Sequence, residues 1–302
     1  MAQKQNNEHW HAMRRQGIGG SDAAPVVGLS KWSTPLDIYL DKKGEREPVD
    51  ETWEMSRGKA LEPLLRQHYA DTTGREVFVP NEPLKCEKYP FMIYNPDGLS
   101  NDNRLQEFKT AAYGSGWGVE GSDDIPTEYI IQVQHGLIVT GLEIADVTVS
   151  IAGNEPKYFI IKEDKELQEM IIEREHDFWQ KVLDSTPPDP TTNQDVAKIY
   201  KSVNGEAIVA DAGALALLHE LKGIKNQIKA LELEKESYEV QIKNYMKENE
   251  VLVAEDGVTK LATWKRQKGS TRIDSKLLKA QSPDIYDLYS KTGDPVRRFL
   301  LK

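Results

Sequence analysis

The sequence predicts an α/β (α+β) domain over residues 1–185, followed by a linker, a long helix and a hairpin with a basic tail. Three observations carry that expectation. Short strand-like runs alternate with helical patterns, as in domains that stack helices on a sheet. A Pro-, Thr- and Asp-rich stretch, Asp184–Gln194, then interrupts every pattern. Beyond it, apolar residues step by four and three through about four heptads.

Taken in order, Gly17, Gly19 and Gly20 allow close backbone approach, and Ser21 or Asp22 can cap a helix over Ala23–Val27. A helical pattern spans about 58–73 through Leu61, Leu64, Leu65 and Tyr69, opened by Gly58 and closed by Gly74. Strands are expected near 76–79, 91–94, 104–110, 145–151 and 157–162, with helices near 126–141 and 163–183. Residues 186–212 read as linker. The 213–250 helix carries apolar residues at 217, 221, 224, 228, 231, 238, 242 and 245, with Lys235 as the polar member of the seam. Residues 251–302 form a hairpin turning at Asp256-Gly257 and a tail.

The 302 residues carry 49 acidic and 39 basic side chains, a formal charge of −10. That total argues against a nucleic-acid partner until it is divided along the chain. Residues 1–212 carry −14, residues 213–257 carry −3, and residues 258–302 carry +7. In the tail Trp264, Tyr286 and Tyr289 are interspersed with Lys265, Arg266 and Arg272, a pattern for phosphate contacts with stacking or for a solvated basic face. The single cysteine, Cys86, excludes a disulfide scaffold and a cysteine zinc site. No apolar run reaches the ~18–20 residues of a membrane span, and the first ten residues lack a signal-peptide core, so a cytoplasmic protein is expected.

The chemistry concentrates in Asn95–Lys109. Pro96-Asp97-Gly98 reads as a turn at a strand end, and Glu107 and Lys109 flank Phe108 on a strand, sharing one face while Phe108 points inward. A hairpin between the two segments brings Asp97 toward Glu107. Two carboxylates so placed repel, and Mg²⁺ or Mn²⁺ relieves the repulsion while Lys109 orients or helps deprotonate a water. Glu62 lies at the edge of the 58–73 apolar stripe, either a further ligand or a solvated carboxylate. Gln132 and Gln134 lie amid apolar residues on the 126–141 helix, semi-buried amides with partners. In Trp10–Asp22, Arg14 or Arg15 can add charge-assisted bonds to a phosphate at the helix start.

Four runs, RRQGIGGSDAAPVVGLSKWSTPLDIYLDKKG, RGKALEP, NPDGL…LQEFKTA and EYIIQVQHGLIVTG, resemble in order the YqaJ viral recombinase family, the lambda-exonuclease-like branch of PD-(D/E)XK nucleases. The resemblance covers roughly residues 10–185. It implies a mixed central sheet flanked by helices and hydrolysis of duplex DNA with two Mg²⁺ ions (Mn²⁺ able to substitute), by 5′-to-3′ resection of ends in phage or prophage recombination. It assigns Asp97, Glu107, Glu62 and the Phe108 carbonyl to the metals, Lys109 to catalysis, and the glutamine pair to an active-site glutamine, Gln134 slightly favoured over Gln132. Arg14 and Ser21 match the arginine and serine that hold a 5′-phosphate. Asn95 stands where some members have serine. Implied partners are DNA ends, a single-strand annealing protein of the RecT or Redβ class, and further copies in a trimeric ring. The alternatives are an endonuclease of the same fold, a non-catalytic DNA-binding or assembly subunit, and a phosphate-binding metabolic hydrolase.

Overall fold

The computed structural model describes residues 13–47, 50–293 and 296–301. Trp10, at the start of the glycine- and arginine-rich stretch, lies outside the described residues. The described chain divides into two compact units, Met1–Lys201 and Ser202–Lys302.

In the first unit, α1 (Gly20–Val26), α2 (Pro35–Lys43) and α3 (Trp53–Thr73) precede the strands. The cap of α1 is Gly19, and Asp22 sits at its third position, accepting the Gly19 N–H at 3.1 Å, so neither Ser21 nor Asp22 is the cap itself. α3 begins five residues before Gly58, because Thr52 caps it; Gly74, at φ 71°, closes it as expected. Then follow β1 (Val77–Phe78), β2 (Leu84–Lys85), β3 (Ile93–Tyr94), β4 (Gly98–Ser100) and β5 (Leu105–Ala111). α4 (Thr127–Thr140) crosses over to β6 (Ile144–Ile151), which is followed by β7 (Lys157–Lys162), α5 (Lys165–Leu183) and α6 (Asn193–Ile199).

The sheet order is β1-β4-β5-β6-β7. β5 and β6 are parallel, as a helical crossover requires, and the other pairs are antiparallel, which makes the sheet mixed. Alternation along β5 sends Phe108 to Leu65 and Tyr69 of α3 on one face. Leu105 goes to Val133 and Leu137 of α4 on the other. β2 and β3 form a separate ribbon, and Ile18 clips the N-terminal segment to it: Ile18 N–H donates to Phe91 O at 2.7 Å, and Ile93 N–H donates to Ile18 O at 2.9 Å. That clip carries Gly19–Ser21 to the end of β3.

The first unit runs past the Pro-rich stretch. Buried Asp195 of α6 accepts from the Thr34 hydroxyl at 2.9 Å, and Lys198 pairs with Asp37 at 2.6 Å. Residues 186–201, expected as linker, therefore belong to the first unit.

The second unit contains α7 (Ala212–Met246), the hairpin β8 (Val251–Val253) and β9 (Lys260–Thr263), and two short helices, α8 (Ser275–Gln281) and α9 (Pro283–Tyr289). Gly257 takes φ 69° in the hairpin turn, where Asp256 accepts the Val258 and Thr259 N–H groups. The two short helices were not expected from the tail's composition.

The buried ring of Tyr94 depends on two glycines. A Cβ on Gly136 of α4 would lie 2.6 Å from Tyr94 Cζ and 2.7 Å from Leu105 Cδ2, and one on Gly20 of α1 would strike the same ring. Alanine in a helix ordinarily gains about 1 kcal/mol over glycine. At Gly136 the overlap dominates, and Gly136→Ala should destabilise by about 1–3 kcal/mol in urea unfolding. A neutral or stabilising result would show that the Tyr94 slot yields.

Candidate active site

β4 pairs with β5 in the register Gly98↔Gln106, which sets Asp97 beside Glu107. Asp97 Oδ2 accepts the Phe108 N–H at 2.8 Å. Glu107 is almost wholly buried, at 1% exposure, and each of its oxygens is engaged. Oε2 meets Lys109 Nζ at 2.6 Å and accepts from Gln132 Nε2 at 2.9 Å. Oε1 accepts from the Tyr94 hydroxyl. Lys109 Nζ also donates to Gln132 Oε1 at 3.3 Å and lies 5.3 Å from the Tyr129 ring centroid.

Buried Glu107 and half-buried Asp97 thus both feel the charge of one ammonium. Burial is the largest influence on Asp97 and the Glu107 charge the next; together they push its carboxyl up to about 8, against Lys109 and the Phe108 N–H. Burial by itself would lower Lys109, but Glu107 and Asp97 override it and hold the ammonium above its ordinary value. Lys109 is therefore a cation at neutral pH, suited to hydrogen-bond donation and charge stabilisation rather than to deprotonating water. Burial, then the Glu107 charge, keeps the Tyr94 phenol well above its usual range, so it remains a donor.

Gln132, not the slightly favoured Gln134, faces this site. Gln134 donates to Lys162 O at 2.7 Å and accepts from Asp164 N–H and Gln168 Nε2 at 3.1 Å, joining α4 to the β7–α5 junction. Two residues advance a helix by about 200°, so only one of the pair can point at β5. Glu62 Oε1 accepts from Arg66 Nη2 at 2.5 Å, and Arg66 Nε donates to Asp97 O at 3.0 Å. The Glu62 charge still helps raise Asp97. Among the described residues no three His, Cys, Asp or Glu side chains converge as ready ligands, because Glu62 is turned to Arg66.

Beside the carboxylates opens a cavity of about 290 Å³, lined by Arg14, Gly19, Ser21, Lys85, Asn95 and Gln132 among others. Arg14 Nη2 donates to Ser21 Oγ at 3.4 Å and to buried Asp22, whose other oxygen pairs with Lys42 at 2.6 Å. Burial would raise Asp22, but Lys42 and Arg14 outweigh it and hold its carboxyl below the ordinary range. Arg15 is absent from the lining; its guanidinium lies beside Gly44, 3.6 Å from where a Cβ would stand. Tyr94, Arg66 and Lys85 were missed in the sequence. A tyrosine next to Asn95-Pro-Asp gave no sign of reaching Glu107, and Arg66 at i+4 from Glu62 was the one legible hint.

A family model for the YqaJ-like viral recombinase domain matches residues 9–143. The uncharacterized protein YqaJ of Bacillus subtilis (strain 168) is 35% identical over 312 aligned positions, covering 98% of this chain and 94% of that protein. The chain belongs to the YqaJ family. Similar solved structures include an alkaline exonuclease, LHK-Exo, from Laribacter hongkongensis, at 20% identity and TM-score 0.48, covering 64% of this chain and 99% of that one. A phage-related exonuclease from Haemophilus somnus 129PT has 12% identity and TM-score 0.43, covering 58% and 99%. No described helix is long and apolar enough to cross a membrane.

Burial and the Glu107 charge push the Asp97 carboxyl up to about 8 in the folded chain, against ~3.9 when unfolded. The proton's stabilising contribution is therefore complete below the unfolded value and is lost as pH rises through the folded one. In chelator, calorimetry should show the wild type losing Tm relative to Asp97→Asn between about pH 5 and pH 8; parallel pH slopes would contradict the burial of this charge. Tyr94→Phe keeps the ring between its glycines and leaves Glu107 Oε1 unpaired. It should lower divalent-ion affinity or turnover by about 10–100-fold while near-UV circular dichroism is unchanged. Unaltered metal titration and rate would sink the role of the hydroxyl.

Proposed function

We propose that the protein is a metal-dependent deoxyribonuclease that hydrolyses phosphodiesters of duplex DNA, working from a 5′ end. The observation that carries this reading is the pairing of half-buried Asp97 with buried Glu107, with Lys109 ion-paired to Glu107 and its charge acting on both. The donor set is all oxygen, and with Asp97 ionised its negative charge exceeds the one ammonium available, so it fits a hard divalent ion such as Mg²⁺ or Mn²⁺. Asp97, Glu107 and the Phe108 carbonyl would hold one ion, and Glu62 a second after leaving Arg66. A bound ion supplies Lewis acidity and a more acidic water.

The chain's own groups do the rest. Lys109, held as a cation, donates to the attacking water or to the phosphate and stabilises charge that develops on it. Gln132 bridges Lys109 and Glu107 and fixes both orientations. Tyr94 fixes the other carboxylate oxygen. Arg14, Ser21 and Asn95 line the adjoining cavity with Lys85, and a terminal 5′-phosphate is the anion proposed for it. Lys85 has no ion pair among the described residues and supplies a positive charge beside Arg14, which is paired with Asp22 and, at 3.6 Å, with Asp41.

The cavity beside the carboxylates favours an end-binding enzyme over an endonuclease. On that reading, resected ends would pass to a single-strand annealing partner, and a ring of copies would keep the enzyme on its duplex. The site's carboxylates and lysine also weigh against a purely assembling subunit.

Digestion of linear duplexes with and without a 5′-phosphate, beside a closed circle and with or without Mg²⁺, tests the proposal. The phosphorylated linear duplex should be degraded fastest, the circle left intact, and chelator should stop the reaction. Lys109→Ala should cost about 10²–10³-fold in rate, the scale of losing a transition-state donor, with DNA binding retained. Degradation of DNA by Lys109→Ala at the wild-type rate would refute the assignment; nicking of the circle would replace the exonuclease reading with an endonuclease.

A further inference from the structure

We propose that α7 pairs antiparallel with α7 of a second copy of this chain, about a dyad between Lys229 and Ala230. This does not depend on the nuclease assignment. α7 has 35 residues, about 52 Å of helix at 1.5 Å per residue. Its seam is bare: Leu217 is 73% exposed, Leu231 63% and Tyr245 75%. Apolar area on that scale at heptad spacing is the surface that a facing helix covers.

Three features select a second copy and fix its direction. The first is charge. Residues 212–229 carry Lys222, Lys225 and Lys229 against Glu220, and residues 230–246 carry four glutamates against Lys235 and Lys243. A basic N-terminal half and an acidic C-terminal half oppose the polarity favoured by a lone helix's dipole. They match each other when two copies run in opposite directions. Parallel copies would set like charges together.

The second feature is Lys235, the polar member of the seam. A parallel pair stacks Lys235 on its own copy, two ammonium groups in one apolar layer. About the proposed dyad, residues whose numbers add to 459 share a layer, so Lys235 faces Ile224 and its ammonium can reach out to solvent. The third is size. The same register sets Tyr245 against Ala214 and Tyr238 against Leu221, while Ile228 meets Leu231. Large side chains meet small or aliphatic ones, and no tyrosine meets itself. A patch that complements itself about a dyad is the signature of an isologous interface.

The test uses the full chain. Cys86, its only thiol, is buried. Leu217→Cys and Ile242→Cys variants, one carrying a tag so that masses differ, are treated with a short bis-maleimide singly and mixed. The mixture should give a Leu217→Cys to Ile242→Cys cross-link, and Leu217→Cys alone should give none. About the dyad the two 217 positions lie 25 residues apart along the helix, about 37 Å. Ile228→Glu should halve the mass measured by light scattering. Lys235→Leu should tighten association by at least about tenfold, since one more buried leucine is worth 1.4 kcal/mol or more. Efficient self-linking of Leu217→Cys would overturn the antiparallel pairing. A mass unchanged by Ile228→Glu, with no cross-link in the mixture, would overturn the pairing altogether.

Discussion

One ammonium serving a buried carboxylate and its half-buried neighbour governs the architecture of the candidate site. Lys109 cannot release its proton while Glu107 stands at 2.6 Å, and Asp97 cannot ionise readily beside Glu107 with only that one cation. The neighbouring elements then act as supports. The Gly98↔Gln106 register delivers Asp97, α4 delivers Gln132, and β3 delivers Tyr94. Remove the repulsion between Asp97 and Glu107 and these contacts become ordinary core hydrogen bonds. With it, the folded protein holds an electrostatic deficit that a divalent ion would fill. Functional sites often store instability in this way, as a charge arrangement the fold tolerates because the surrounding packing fixes it.

How much of this was legible in the sequence depended on range. Period-two alternation is local, so the shared face of Glu107 and Lys109, with Phe108 turned to the core, followed from the sequence. The approach of Asp97 also followed, because a short hairpin joins it to β5. Helix phase was harder. Gln132 and Gln134 are both flanked by apolar residues, and nothing local says which side of α4 meets the sheet; three partners at β7 and α5 decide it for Gln134. Arg14 and Arg15 posed the same difficulty one residue apart. Tyr94 was invisible because its hydroxyl bonds Glu107, thirteen residues away, through a slot that Gly20 and Gly136 leave open.

Helix ends erred for a related reason. Gly58 was expected to open α3, but Thr52 caps it earlier, and a Cβ at 58 would meet Thr110 Oγ1 at an ordinary 3.7 Å. The glycine lies inside the helix and marks no boundary. The strands β2 and β4, two and three residues long, carry too few side chains to show a period.

The α6 clasp bears on how this chain can be divided. The Pro-rich stretch invites a cut near 185, where composition alone places the end of the first domain. Such a cut would strip Asp195 from Thr34 and Lys198 from Asp37, and so unfasten the N-terminus of α2. α2 also carries Lys42, which holds Asp22 and through it Arg14. A fragment built to isolate the site therefore has to extend through α6 to Lys201; a shorter one would lose the wall of its own cavity from a distance.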